Sequence, residues 1–118
     1  MQIKLREFTA AACLGVLLTT MTAAALSPAE EGRRIYLREN CYGCHGGRGG
    51  GGMGPNFRSD RPDADDVREA VREGKDEGMP AFPNLTNQDI NNLGAYFRSL
   101  RTGAEPKFTH WWEPAPTQ

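Results

Sequence analysis

The sequence lacks the features of several large functional classes. Its 118 residues contain only three cysteines and two histidines, and its formal net charge is only -1. Because no excess of positive charge is present, the composition gives no indication of a nucleic acid or an anionic membrane as partner. The cysteines are not flanked by segments with the alternating pattern of a strand, and no apolar run reaches the roughly 20 residues of a membrane-spanning helix. The length allows one small domain.

The N-terminal residues have the pattern of a secretory signal. Lys4 and Arg6 precede an apolar run over 9–18, and three alanines at 23–25 form a small-residue cleavage site. We expect residues 1–25 to be a signal peptide that exports the chain to the periplasm, with retention as an N-terminal anchor as the alternative. Cleavage removes Cys13 with the signal, and we expect no stable membrane insertion afterwards.

The two remaining cysteines stand in the sequence Cys41-Tyr42-Gly43-Cys44-His45. Two thiols at this spacing, followed directly by an imidazole, form the attachment pattern of a c-type haem. Each thiol adds to a haem vinyl group, and His45 lies close enough to the iron to serve as an axial ligand. A thioredoxin-like redox site would need a βαβ framework, and a zinc site would need a further ligand. The motif therefore predicts one covalently attached haem c with its iron.

Three helices are predicted. A capping box at Ser27 with proline at the next position indicates a first helix from Pro28 to about Glu39. A second runs from Pro62 or Asp63 to Glu73, before a glycine. A third begins in 86–89 and carries an apolar stripe of Ile90, Leu93, Phe97 and Leu100. The glycine-rich stretch 46–54 between the first two is predicted to be a loop, either approaching the haem closely or serving as a linker. The fold class is all-α.

The chain resembles the monohaem class I cytochromes c over about residues 28–101. The resemblance is carried by the Cys-x-x-Cys-His motif, by Gly54-Pro55-Asn56-Phe57, which is similar to the family's Gly-Pro-Asn-Leu, and by Leu93-x-x-Tyr96 in the third helix. It implies a cytochrome c-like fold of about three main helices around the covalently attached haem. In the family, a glycine and an aromatic residue of the N-terminal helix let it cross the C-terminal helix closely. Gly32 and Tyr36 are the counterparts here, with Leu37 in the aromatic's place or ordinary amphipathic packing as the alternatives.

The same resemblance implies roles for two residues near the histidine. The carbonyl of Pro55 is expected to accept the Nδ1 proton of His45, which fixes the orientation of the ring and raises its basicity. Phe57 is expected to pack on the haem. A plain turn at Pro55 is the alternative.

Met79 is the predicted second axial ligand. It lies in Gly78-Met79-Pro80, within a glycine- and proline-bounded loop between two helices, where the family places its methionine ligand. A thioether is a soft donor suited to haem iron. The alternatives are Met53, whose short separation from His45 makes the opposite face of the haem hard to reach, and His110.

The C-terminal part has a different composition from the rest. Residues 102–118 contain three prolines, Phe108, His110, Trp111 and Trp112. We assign 26–101 to the cytochrome domain and 102–118 to a proline- and tryptophan-rich tail. The adjacent tryptophans require burial, either over the haem and helices or against a partner.

With His45 and Met79 on the iron, no site is open to substrate, so the sequence predicts a soluble periplasmic one-electron carrier rather than an enzyme. The resemblance implies redox protein partners in a respiratory chain. In this family the donor is often a quinoprotein alcohol dehydrogenase, and the acceptor is an oxidase or another cytochrome. One alternative is a fixed subunit of a larger respiratory or dehydrogenase complex, anchored through Trp111 and Trp112. Another is a haem gas sensor or peroxidase-like enzyme with a labile Met79.

Overall fold

The computed structural model describes residues 25–107, and in this part the backbone forms four α-helices and no strand. The helices are α1 (Pro28–Arg38), α2 (Tyr42–His45), α3 (Ala64–Glu73) and α4 (Asn87–Ser99). The predicted all-α fold class is thereby confirmed. Within 25–107, no helix combines the length and the apolar character that a bilayer crossing requires. Residues 1–24 of the predicted signal lie outside the described residues, as do His110, Trp111 and Trp112.

The three longer helices each begin at a reciprocal capping box. In every case the side chain of the N-cap residue accepts the backbone N–H three residues later, and the carboxylate of that residue accepts the N-cap N–H. The pairs are Ser27 with Glu30, Asp63 with Asp66, and Thr86 with Asp89. The predicted helix starts are therefore correct to within one or two residues. The first helix ends one residue before its predicted end, and Asn40 follows it with a positive φ of 59°.

Helices α1 and α4 cross in close contact at Gly32. A Cβ atom on Gly32 would lie 1.9 Å from the Asn92 carbonyl oxygen and 2.8 Å from Cβ of Tyr96. One turn further along α1, the rings of Tyr36 and Tyr96 pack with centroids 5.3 Å apart. The close crossing expected from Gly32 and Tyr36 is confirmed, because only a residue without a side chain allows the two backbones to approach this far.

The hydrophobic core is built around that crossing. Its buried members are Ile35, Tyr36, Leu37, Val67, Val71, Leu85, Ile90, Leu93, Tyr96, Phe97 and Leu100. All the apolar residues predicted for the α4 stripe are among them. Helix α3 contributes only Val67 and Val71, so it covers the core along a narrow line.

Arg72 lies among the charged residues of α3, but its guanidinium is partly buried. It donates to the carbonyl of Leu85 at 2.5 Å and to Oδ1 of Asn87 at 2.8 Å. Arg72 therefore ties α3 to the beginning of α4, because its long side chain reaches past the exposed face.

The segment that follows α4 turns back onto the domain. Glu105 accepts hydrogen bonds from Arg48 at 2.8 Å and from Arg58 at 2.9 Å. The guanidinium of Arg33, which is 1% exposed, donates to the carbonyl of Lys107. The first residues of the predicted tail are thus in contact with α1 and with the loop before α3.

Candidate haem-binding site

The Cys-x-x-Cys-His motif folds as one helical turn, which the sequence analysis did not predict. The left-handed Asn40 reverses the chain after α1, and the Cys41 amide then donates to the Tyr36 carbonyl at 3.0 Å. The His45 amide donates to the Cys41 carbonyl, also at 3.0 Å, and closes the turn as α2. Because residues three apart in a helix lie on one face, the turn brings Cys41 and Cys44 to the same side.

No disulfide joins the two cysteines of the motif; Cys41 is partly buried and Cys44 is exposed. Burial raises the pKa of the Cys41 thiol to about 11, and the neighbouring Glu39 carboxylate adds to the rise. A thiol with a raised pKa is protonated at neutral pH, whereas reactive redox cysteines have lowered values. The environment of Cys41 therefore does not favour a thioredoxin-like site.

His45 is buried, and its ring is held from several directions. Nδ1 lies 3.0 Å from the carbonyl oxygen of Pro55. Since a carbonyl can only accept, Nδ1 carries the proton, and Nε2 is the nitrogen left for a metal. The ring of Phe57 is stacked on the imidazole with centroids 4.4 Å apart.

Gly54 also lies against the His45 ring. A Cβ atom at this position would come within 2.6 Å of Cε1 and 2.7 Å of Nδ1. The backbone of the glycine-rich loop therefore occupies the space directly beside the imidazole. Of the two expectations for this loop, a linker or a close approach to the haem, the structure shows a close approach at Gly54, and the group approached is the histidine.

The rest of the glycine-rich loop is fixed by hydrogen bonds. The amide of Gly51 donates to the His45 carbonyl at 2.7 Å, and that of Gly54 donates to the Cys44 carbonyl at 2.9 Å. The buried Tyr36 hydroxyl donates to the carbonyl of Gly46, and burial raises the pKa of Tyr36. Because each bond ends at or next to α2, the loop braces the helical turn that carries the cysteines and the histidine.

Met79 stands at the end of a tight turn that follows α3. The amide of Lys75 donates to the Met79 carbonyl at 2.9 Å, and Gly78 closes the turn with a φ of 107°, which favours glycine. The amide of Phe82 then donates to the Val71 carbonyl at 2.8 Å and fastens the segment to α3.

The two candidate methionine ligands have different surroundings. Met79 is partly buried and packs against the hydrophobic core, together with Cys41, Phe57 and Phe82. Met53 is 88% exposed. The third candidate, His110, lies outside the described residues.

Some residues of the site have roles that could not be predicted from the sequence. Gly54 was recognised only as part of the Gly-Pro-Asn-Phe segment, and nothing indicated that it lies against the imidazole. Arg58 and Glu105 were not paired because they are 47 residues apart. The Glu105 side chain is only 14% exposed, and the hydrogen bond from Arg58 holds the pKa of its carboxyl below the usual value. Charge complementarity at such a distance along the chain leaves no local pattern in a sequence.

The residues present fit a covalently attached haem. Two cysteines share one helical turn, and the next residue is the buried His45. Its Nδ1 is already hydrogen-bonded to Pro55, so Nε2 is left for the iron. Four partly buried side chains pack against one hydrophobic core, and a large apolar group such as haem would complete their burial. They are those of Cys41, Phe57, Met79 and Phe82. Fold and site together define a monohaem c-type cytochrome.

The comparison with protein families agrees with this class. A family model described as cytochrome c oxidase, cbb3-type, subunit III matches residues 27–97. The match covers more than half of the chain, and the chain belongs to this cytochrome c family. No curated protein and no solved structure gave a significant match. The cofactor is therefore haem c with its iron, the function is electron transfer, and the partners are redox proteins, as predicted.

Proposed function

We propose that the chain is a periplasmic one-electron carrier with a six-coordinate haem c. Cys41 and Cys44 would hold the haem through thioethers, and His45 and Met79 would be the two ligands of its iron. The Fe(III)/Fe(II) couple of the haem supplies the one-electron chemistry. The observation that carries the proposal is that both candidate ligands lie in braced segments next to the same hydrophobic core.

The hydrogen bond between His45 and Pro55 supports the role of His45. It selects the tautomer in which Nε2 has a free lone pair, and it makes the imidazole a stronger donor to iron. Pro55 contributes this bond through its carbonyl group. Phe57 lies beside the imidazole, where it also helps to exclude water from the ligand.

The choice of Met79 rests on its surroundings. A thioether ligand needs a dry site and a fixed approach, and the turn over 75–79 with the bond from Phe82 to Val71 provides a fixed backbone. Met53, at 88% exposure, has no comparable packing. With both ligands on the iron, no coordination site would be left for a substrate, and outer-sphere electron exchange would be the remaining chemistry.

Replacing each methionine in turn tests the ligation. We expect Met79→Ala to remove the long-wavelength absorption band that a methionine–iron bond gives oxidised haem, and to open the reduced protein to carbon monoxide. Met53→Ala is the matched control and should leave both properties unchanged. If the wild-type protein lacks the band and binds carbon monoxide readily, the site is open, and a gas sensor or peroxidase-like enzyme replaces the carrier.

A fixed subunit of a respiratory complex is the second candidate. The family description, which names a subunit of a cytochrome c oxidase, favours it. Size-exclusion chromatography of a native periplasmic extract and of solubilised membranes separates the two. A carrier elutes at the size of the free chain from the periplasmic fraction, whereas a subunit elutes with its complex. The periplasmic fraction also tests the export expected from residues 1–25.

For the electron donor we propose a quinoprotein alcohol dehydrogenase, because small exported cytochromes of this form often serve such enzymes. Stopped-flow mixing of the oxidised cytochrome with the reduced dehydrogenase tests this proposal. Reduction that is fast and depends on ionic strength supports it, since redox encounters between proteins are brief and electrostatically steered. Reduction no faster than that by an unrelated reduced flavoprotein contradicts it.

A further inference from the structure

Phe57 stands where the related cytochromes carry the leucine of Gly-Pro-Asn-Leu, and its ring makes contacts that leucine cannot make. It is stacked on the His45 imidazole with centroids 4.4 Å apart and planes inclined at 24°. It is also stacked on Phe97, with centroids 4.2 Å apart and planes inclined at 26°. Because Phe97 belongs to α4 and is 7% exposed, the stack joins the imidazole to the helical core.

The contact with Phe57 restrains a motion that the hydrogen bond to Pro55 leaves possible. A bond in the plane of the imidazole fixes the position of Nδ1, but the ring can still rock about that bond. A second ring lying nearly parallel to the face of the first opposes this rocking. Phe57 cannot yield easily, since Phe97 supports its ring in turn.

We propose that Phe57 is a positioning residue that fixes the plane of the His45 imidazole and couples it to α4 through Phe97. The inference rests on the proposed function, in which His45 binds the iron. The orientation of an axial imidazole sets the magnetic anisotropy of low-spin ferric haem. A rotated ring therefore changes the EPR g values and the spread of the haem-methyl proton resonances, even where the fold and both ligands are retained.

Three variants of the holoprotein test the inference. We expect Phe57→Leu to keep the helical circular dichroism and the methionine–iron band, but to shift the g values and the haem-methyl resonances. Phe57→Tyr keeps the ring and should give the wild-type spectra. Tyr96→Phe is the matched control, because it changes an aromatic residue of the same helix outside the stack. The Tyr96 ring packs on Tyr36, with centroids 5.3 Å apart, and lies 6.0 Å from that of Phe97. Unchanged g values in Phe57→Leu overturn the inference.

A measurement on the wild-type protein covers the case in which Phe57→Leu does not accumulate with haem. In the reduced, diamagnetic holoprotein we expect nuclear Overhauser effects between the ring protons of Phe57 and those of His45. If His45 shows the large upfield shifts of an iron ligand but no such effects, the stack is absent and this inference fails. If His45 lacks those upfield shifts, it is the proposed function that fails.

Discussion

Gly54 leaves no room for a side chain beside His45. The ideal Cβ position is 2.6 Å from Cε1 of the imidazole and 3.0 Å from Nε2, the atom proposed to bind iron. Carbon atoms do not approach this closely, so a side chain would push the ring away from Pro55. At the scale of single residues, the position of the His45 ring therefore depends on the lack of a side chain at Gly54 as well as on the groups that bond to the ring.

Gly54→Ala should accordingly disturb the ligand without preventing attachment of the haem. We expect a high-spin fraction in the oxidised absorption spectrum and a loss of about 1–3 kcal/mol in the free energy of unfolding by urea. Gly47→Ala is the control, because a Cβ atom there meets nothing within 4 Å. Equal spectra and stabilities for the two variants would show that Gly54 does not shape the site.

Several site residues could be predicted from their types and spacing, and others could not. Cys41, Cys44 and His45 are recognisable because their chemistry requires a fixed local order, and Met79 is a candidate because its loop has a distinctive composition. Two other features depend on how separate backbone segments meet in the fold. They are the hydrogen bond from Tyr36 to Gly46 and the close contact of Gly54 with the imidazole. No pattern in neighbouring residues encodes that meeting.

At the scale of elements, the crossing of α1 and α4 decides whether the core forms. The two helices contribute most of the buried residues, and their backbones meet at Gly32, where an added Cβ atom would lie 1.9 Å from the Asn92 carbonyl oxygen. A backbone oxygen inside a helix cannot move aside alone. Any side chain at residue 32 must therefore separate the helices.

Gly32→Ala should destabilise the protein by about 3 kcal/mol, near the upper end for overpacking, in spite of the better helix propensity of alanine. Gly94→Ala is the matched control within α4, since its Cβ atom would meet only the flexible end of Arg98 at 3.3 Å. We expect the control to be neutral or stabilising by up to about 1 kcal/mol. Urea unfolding followed by circular dichroism compares the two, and a Gly32→Ala variant as stable as the control would contradict the close crossing.

The three longer helices could be predicted because their signals are local. Capping boxes at Ser27 and Thr86, and the glycine that ends α3, indicate the ends of helices regardless of the surrounding structure. Helix α2 was missed because four residues are too few for an apolar period, and it includes a glycine. Its turn is stabilised by the neighbouring loop and by Asn40.

At the scale of the whole molecule, Glu105 brings the C-terminal segment onto the domain. It lies between Arg48 and Arg58, with its carboxylate mostly buried. The hydrogen bond from Arg58 lowers the pKa of Glu105, so the folded state favours the charged carboxylate. The resulting stability is present above the unfolded pKa of about 4.3 and is lost as the pH falls through the lower folded pKa.

Glu105→Gln should therefore reduce the free energy of unfolding at pH 7 by about 1 kcal/mol, because it removes a charge shared by two partly exposed arginines. The difference from the wild type should shrink as the pH is lowered below about 4, since the wild-type carboxyl is then protonated as well. Urea titrations at a series of pH values measure this. Glu31→Gln, in an exposed pair with Arg34 at 3.8 Å, is the control and should change little at any pH.

The weak attachment of helix α3 and the Met79 turn affects which part of the protein unfolds locally first. Only Val67 and Val71 of α3 are buried, and the turn is fastened by bonds to α3 itself. Apart from the two hydrogen bonds of Arg72 to Leu85 and Asn87, residues 64–82 have few attachments to the α1–α4 pair, and such units open without global unfolding. We expect their amide hydrogens to exchange faster than those of α1 and α4.

In the proposed ligand set, each local unfolding event would release the Met79 thioether while His45 stayed bound. Local unfolding of α3 would therefore set how often the iron meets an outside ligand.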